Sequence, residues 1–209
     1  MSQYFSLHSD NPQLRLLKQA CRVIEGGGIA AVPTDSCYAL VCHLDDKDAV
    51  QRLRRIRQVD DNHHLTLLCR DLSEIATYAK VDNSQYRLLK TATPGPYTFI
   101  LEATKEVPRR LSHPARKTIG LRIPADKIMQ ALLAELGQPL LSTTLILPNH
   151  AVPLNDPEEI RQSLGNQIEL IIDGGACGLE STTVVDLTKE EPVVLRVGRG
   201  DVSVLGRAS

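Results

Sequence analysis

The sequence predicts an α/β or α+β domain around a mixed, twisted sheet. Three observations carry this reading. Short apolar runs of strand length recur along the chain, at 28–32, 97–103, 118–123, 168–173, 182–187 and 193–197. Segments with apolar residues at helical spacing lie between them, without strict alternation. Glycine and proline mark the joints, as in Gly26-Gly27-Gly28 and Pro94-Gly95-Pro96.

The elements follow in order. Asn11-Pro12 forms an N-cap and first-turn pair, and Leu14, Leu17, Cys21 and Ile24 recur at helical spacing until the triple glycine. Residues 28–32 read as a buried strand, and 37–43 also fall on a strand. Asp45 or Asp46 caps a second helix reaching about Gln58, with Ala49, Val50, Leu53 and Ile56 as its apolar stripe. Residues 65–69 are a short strand, and helical stretches follow near 72–80 and 84–92. After the Pro-Gly-Pro turn come strands at 97–103 and 118–123. The helix at 125–136 ends at Gly137, 140–144 is a strand and 157–164 a helix. The strands at 168–173, 182–187 and 193–197 complete the chain.

The 209 residues, 42 % of them apolar, read as a single domain over 1–209. No run approaches the length of a membrane span. Residues 1–10 lack a basic stretch followed by an apolar one, so no secretory signal is expected. Five cysteines without a Cys-x-x-Cys pair point to reduced thiols and a cytoplasmic setting. Net charge is −1, which predicts no polyanion partner by itself. Two basic clusters stand out: Arg52, Arg54, Arg55 and Arg57, then Arg109, Arg110, Arg116, Lys117 and Arg122. They make a solvated helix face and loop, or an anion-binding surface if they meet.

Several chemistries are disfavoured. The triple glycine precedes a strand and no Gly-Lys-Ser/Thr follows, so it stops a helix and is not a phosphate loop. The six histidines do not pair with cysteines at zinc spacing, and no metal site is expected. Cys37 has no activating partner beside it and reads as a buried thiol. Arg57 is sharper. At helical periodicity it falls about 40° from Leu53, inside the apolar stripe. It satisfies the helix C-terminus, or it points into a cleft toward an anion.

The junction after residues 29–32 is the most informative stretch: Pro33-Thr34-Asp35-Ser36-Cys37-Tyr38-Ala39-Leu40. It resembles the Pro-Thr-Asp-Thr-x-Tyr-Gly-Leu motif of the YrdC-like proteins, synthases that make threonylcarbamoyl-AMP for a tRNA adenosine modification. The resemblance continues through Pro94-Gly95-Pro96-Tyr97-Thr98-Phe99-Ile100-Leu101, Thr118-Ile119-Gly120-Leu121-Arg122-Ile123-Pro124, Asp173-Gly174-Gly175, Glu180-Ser181-Thr182-Thr183-Val184-Val185-Asp186 and Leu195-Arg196-Val197-Gly198. It spans about 12–200 and is strongest toward the YciO branch.

The resemblance implies an α/β fold: an open, twisted mixed sheet flanked by helices, with a concave basic cavity. It implies ATP, threonine or a related small acid, and bicarbonate in that cavity, with Mg²⁺ accompanying ATP. The carbamate of threonine attacks the α-phosphate and pyrophosphate leaves. No covalent enzyme intermediate is needed, so no residue is assigned a catalytic role. The substrate-binding residues carried over are Thr34, Arg57, His64, Thr118, Arg122, Ser142, Thr144, Ser181 and Arg196. Arg122 is expected to hold the amino-acid carboxylate, a pairing that suits its planar fork. Arg196 is expected near the phosphates.

The pattern also breaks. Where the family carries Lys-x-Arg, this chain has Arg57-Gln58-Val59, so the second cation is lost. Asp60-Asp61-Asn62-His63-His64 then replaces a Pro-rich stretch. Where the family carries Ser-x-Asn-x-Ser-Gly, this chain has Thr144-Leu145-Ile146-Leu147-Pro148-Asn149. The hydroxyl is kept, but the amide has become Ile146. These changes predict a weak or redirected synthase. The alternative is a non-catalytic binder of double-stranded RNA or tRNA through Arg54, Arg55, Arg109, Arg110, Arg116 and Lys117. Aromatic content of 3 % argues against single-strand stacking. A sensor that binds ATP or AMP without reaction is the third reading.

Overall fold

A computed structural model describes residues 1–60, 63–113 and 115–207. In chain order the elements are β1 (Gln3–Ser6), α1 (Leu14–Glu25), β2 (Ala30–Val32), β3 (Ala39–His43), α2 (Lys47–Arg57), β4 (Thr66–Leu68), α3 (Leu72–Tyr78), α4 (Asn83–Ala92), β5 (Tyr97–Glu102), β6 (Thr118–Arg122), α5 (Lys127–Leu136), β7 (Leu140–Thr144), α6 (Pro157–Leu164), β8 (Leu170–Asp173), β9 (Thr183–Asp186) and β10 (Val193–Arg196). A short 3₁₀ turn, Val202–Arg207, follows. The ten strands form one open sheet in the order β1-β8-β2-β3-β7-β4-β6-β5-β9-β10, with parallel and antiparallel neighbours mixed. The predicted α/β fold with an open mixed sheet is therefore present.

Local chemistry explains most element ends. The Asp46, Asp71, Asp82, Asp126 and Asp156 side chains each accept a backbone N–H in the first turn of the helix that follows, filling orphan donors there. Gly137 ends α5 in the left-handed region at φ 71°. The start of α1 corrects the Asn11-Pro12 expectation. The helix begins at Leu14 with Gln13 as an N-cap that makes no side-chain bond. The Asn11 and Asp10 amides instead donate to His8 Nδ1, which holds a turn there.

Side-chain alternation decides what covers each sheet face. On one face, Leu40, Leu67, Phe99, Leu121, Leu141, Ile171 and Val185 form a core with Leu53 of α2, Ile75 of α3, Leu89 of α4 and Ile160 of α6. On the other, Ala30, Val32, Val41, Leu140, Leu170 and Ile172 pack against Leu17 and Ile24 of α1 and Met129, Leu132 and Leu133 of α5. These two helices cover the β8-β2-β3 side and reach as far as Leu140 at the start of β7 and Leu68 at the end of β4. Among the described residues no helix of either core packs over that face of β6, β5 and β9, where the outward positions are Thr98, Gly120, Arg122 and Val184. The bare half of this face is where the site lies.

Candidate functional site

A cavity of about 450 Å³ occupies the bare half-face. Its floor is a row of small hydroxyls from neighbouring strands: Thr66 of β4, Thr98 of β5, Ser142 and Thr144 of β7, and Thr182 just before β9. Gly120 opens the centre. A Cβ there would stand 3.1 Å from Thr66 Oγ1 and 3.4 Å from Thr98 Cγ2, so a larger residue would fill the floor. The floor is tied together: Thr98 and Thr182 hydroxyls are 2.8 Å apart, and Ser142 Oγ donates to the Thr66 carbonyl at 3.0 Å. Ile100, Ile146, Val184 and Leu195 add apolar wall.

Three arginines reach the cavity from different elements. Arg57, at the end of α2, has Nε 3.5 Å from Thr143 Oγ1. Burial disfavours its charged form and lowers its pKa. Arg196, on β10, donates Nε and an Nη to the Thr182 carbonyl at 3.2 and 3.0 Å. Arg122 ends β6 and is the most buried. Its side chain is 7 % exposed and forms an ion pair with Asp35, 14 % exposed. A second contact, 3.3 Å, runs to Thr34 Oγ1. Arg122 Nε and Asp35 Oδ2 are both buried and have no hydrogen-bond partner.

The turn after β2 explains this pairing. Thr34 Oγ1 donates to the Cys37 carbonyl at 2.6 Å and accepts from the Ser36 amide at 3.2 Å. That closes a tight turn and directs Asp35 toward β6. Tyr38 Oη donates to the Gly175 carbonyl at 2.8 Å and accepts from the Gly174 amide at 3.3 Å. The Asp173-Gly174-Gly175 loop is thereby clamped beside the turn. The Asp173 carboxylate completes the clamp by accepting from Tyr4 Oη at 3.0 Å and the Gly175 amide at 2.9 Å.

His63 and His64 border the cavity, and His64 stacks on His113 with ring centres 5.1 Å apart. Loss of water lowers both pKa values, and nearby cations lower them further: Arg57 for His63, and His113 and Arg116 for His64. Cys37 faces the cavity, but burial raises its pKa and keeps it a thiol. Among the described residues no Asp or Glu lines the cavity. Among the described residues no cluster of three or more His, Cys, Asp or Glu side chains could hold a metal. The described lining thus offers Mg²⁺ no carboxylate ligand.

Six of the nine residues singled out from sequence meet here: Arg57, His64, Arg122, Ser142, Thr144 and Arg196. Thr34, Thr118 and Ser181 are not in the lining. Thr34 is turned into its own loop, Thr118 Oγ1 is buried without a partner, and Thr182 takes the cavity place next to Ser181. Thr66, Thr98 and Thr182 were not anticipated, whereas Thr143 reads from the sequence as an available hydroxyl beside Ser142. Strand register was the available signal, since every second residue of a strand faces one side. Ile146 lines the cavity and Val59 does not. Asp61 and Asn62 lie outside the described residues.

Of the six basic residues read as an RNA grip, Arg54 does not reach the surface, and Arg110 is exposed but engaged. Arg54 is buried and donates to the Asp60 and His63 carbonyls, closing the turn after α2. Arg110 donates to the Leu44 and Asp45 carbonyls at 3.0 and 2.9 Å, pinning its loop to the start of α2. Arg55, Arg109, Arg116 and Lys117 are exposed.

The fold and cavity define an α/β protein with a bare half-sheet, floored by hydroxyls and edged by arginines. The chain belongs to the Sua5/YciO/YrdC family: the family profile, described as "Telomere recombination", matches residues 22–198. It is similar to the uncharacterized protein YciO of Escherichia coli K12, 56 % identical over 202 residues and covering 97 % of this chain and 98 % of that protein. The crystal structure of E. coli YciO superposes with a TM-score of 0.95, covering 98 % of this chain and all of that one. The threonylcarbamoyl-AMP synthase of Bos taurus is 31 % identical over 179 residues, covering 82 % of this chain and 63 % of the bovine protein. The P. abyssi Sua5 structure complexed with L-threonine shares the fold, with a TM-score of 0.91, 24 % identity and coverage of 99 % of this chain and 61 % of that one. Among the described residues no helix is long and apolar enough to cross a membrane.

Proposed function

We propose that the cavity binds ATP together with a small amino acid and carries a weakened or redirected form of adenylate synthesis related to that of the threonylcarbamoyl-AMP synthases. The observation that supports this most is the lining: three guanidinium groups and a hydroxyl floor around one cavity of about 450 Å³, with no carboxylate among the described residues. Such a surface suits a reaction in which the protein positions phosphates and offsets their charge. Arg57 and Arg196 meet the phosphates, and the floor hydroxyls orient them. Arg122 is held in place by Asp35 and faces the amino-acid carboxylate. The carbamate oxygen bonds to the α-phosphorus as the bond to pyrophosphate breaks. Mg²⁺, where it accompanies ATP, would come with the nucleotide and help offset its charge, since the described lining offers it no carboxylate.

Ile146 is why the chemistry is weak or redirected. It lines the cavity where the family resemblance places an amide. A hydrogen bond to a charged group contributes about 1.5–3 kcal/mol. Its loss in the transition state slows turnover about tenfold to a hundredfold. Val59, where the family carries a second cation, lies outside the lining, so the deficit is carried by Ile146.

The test is pyrophosphate release from ATP, threonine and bicarbonate. Slow release is expected, reduced further by Arg196→Ala and raised by Ile146→Asn. Release no greater than that of Arg196→Ala would remove the synthase reading. Equilibrium dialysis with ATP and AMP then separates a binder from an inert cavity. A second reading, duplex RNA or tRNA binding without catalysis, rests on the exposed Arg55, Arg109, Arg116 and Lys117. It fails if neutralising these four leaves RNA affinity and its salt slope unchanged.

A further inference from the structure

The edge formed by β10 is unlike the rest of the surface. Residues 193–197 are all exposed, and Leu195 and Val197 are 54 % and 71 % exposed. β10 closes one end of the sheet order. Among the described residues, no backbone hydrogen bond outside the β9–β10 ladder reaches 193–197. The apolar stretch carries one charge, Arg196, whereas exposed edges are usually guarded by charged side chains.

The charges lie at the ends, with opposite sign. Glu190 and Glu191 precede the strand and Arg199 follows it, all exposed. The segment 190–199 is thus complementary to itself when antiparallel. A two-fold axis near Val194 and Leu195 sets the acidic end of each copy against the basic end of the other. A parallel arrangement would set like against like.

We propose that β10 is a self-association edge, at which a second copy of this chain pairs antiparallel about residues 194–195. Pro192 lacks a donor at one flank, and the register shift between Val194 and Arg196 interrupts the ladder. The paired span is therefore short, and the dimer is weak and concentration-dependent. The edge also borders the cavity, because Leu195 and Arg196 line it. The second copy closes that rim, so dimerisation and ligand binding are linked. The pairing itself does not depend on what the cavity binds.

Sedimentation velocity across the micromolar range tests this on the full chain. The weight-average mass is expected to rise from one chain, 23.0 kDa, toward two, and to rise less at high salt. Val194→Lys should hold the mass at one chain. Glu190→Lys with Glu191→Lys should do the same, and adding Arg199→Glu should restore part of the association. Circular dichroism confirms that each variant is folded. A mass fixed at one chain for the wild type at every concentration overturns the proposal, as does association that survives Val194→Lys.

Discussion

The Arg122–Asp35 pair gives the most quantitative test. Asp35→Asn keeps the shape and removes the charge, leaving a guanidinium 7 % exposed without its counter-ion. Breaking a buried pair by removing one partner costs about 3–5 kcal/mol. The retained amide oxygen still accepts a bond, so the lower end, about 3 kcal/mol, is expected. In a chain of 209 residues that corresponds to a fall in Tm of about 6–12 °C. The double variant Asp35→Asn/Arg122→Met removes both charges. It should lose less than the sum of the singles, since neither charge is left stranded. Urea unfolding followed by circular dichroism measures this, with the slope checked for constancy. A loss below about 1 kcal/mol for Asp35→Asn, or strict additivity in the double variant, would show that the pair is not the buried unit argued here.

Gly120→Val should weaken ATP or threonine binding in dialysis far more than it lowers stability, because its side chain enters the floor beside Thr66 and Thr98 and not the core. Equal ligand affinity would mean that the floor is not where ligands sit. Tyr38→Phe leaves the Gly175 carbonyl and Gly174 amide without their shared partner and should cost about 1–3 kcal/mol in denaturant unfolding. For His64 the folded pKa lies below the ordinary value near 6.5. The unfolded chain then binds more protons, so stability is fully present above about pH 6.5 and is lost as pH falls through the lowered value. His64→Gln should flatten that acid limb, and an unchanged pH profile would count against the assignment.

Much of this was readable in the residues. Strands 140–144 and 97–102 and helix 157–164 follow directly from apolar period and turn chemistry. β1 was not readable: Gln3–Ser6 is four residues long and gains its strand character by pairing parallel with β8. Arg54 and Arg57 show the same limit within one helix. Periodicity set Arg57 inward, yet Arg54 is the more buried, because the Asp60 and His63 carbonyls accept from its guanidinium. Asp35 is the clearest case. Its pairing with Arg122 joins positions 87 residues apart, and local pattern holds no trace of it.

The bare half-sheet has one more consequence. Along β5 and β6, Phe99, Leu101, Ile119 and Leu121 face the covered core, while Thr98, Ile100, Gly120 and Arg122 face the cavity. What the protein holds and whether it folds are thus inscribed on opposite sides of the same ribbons. Most cavity positions can be exchanged one at a time while the scaffold beneath stays intact. Arg122, tethered to Asp35, is the exception that would resist such drift.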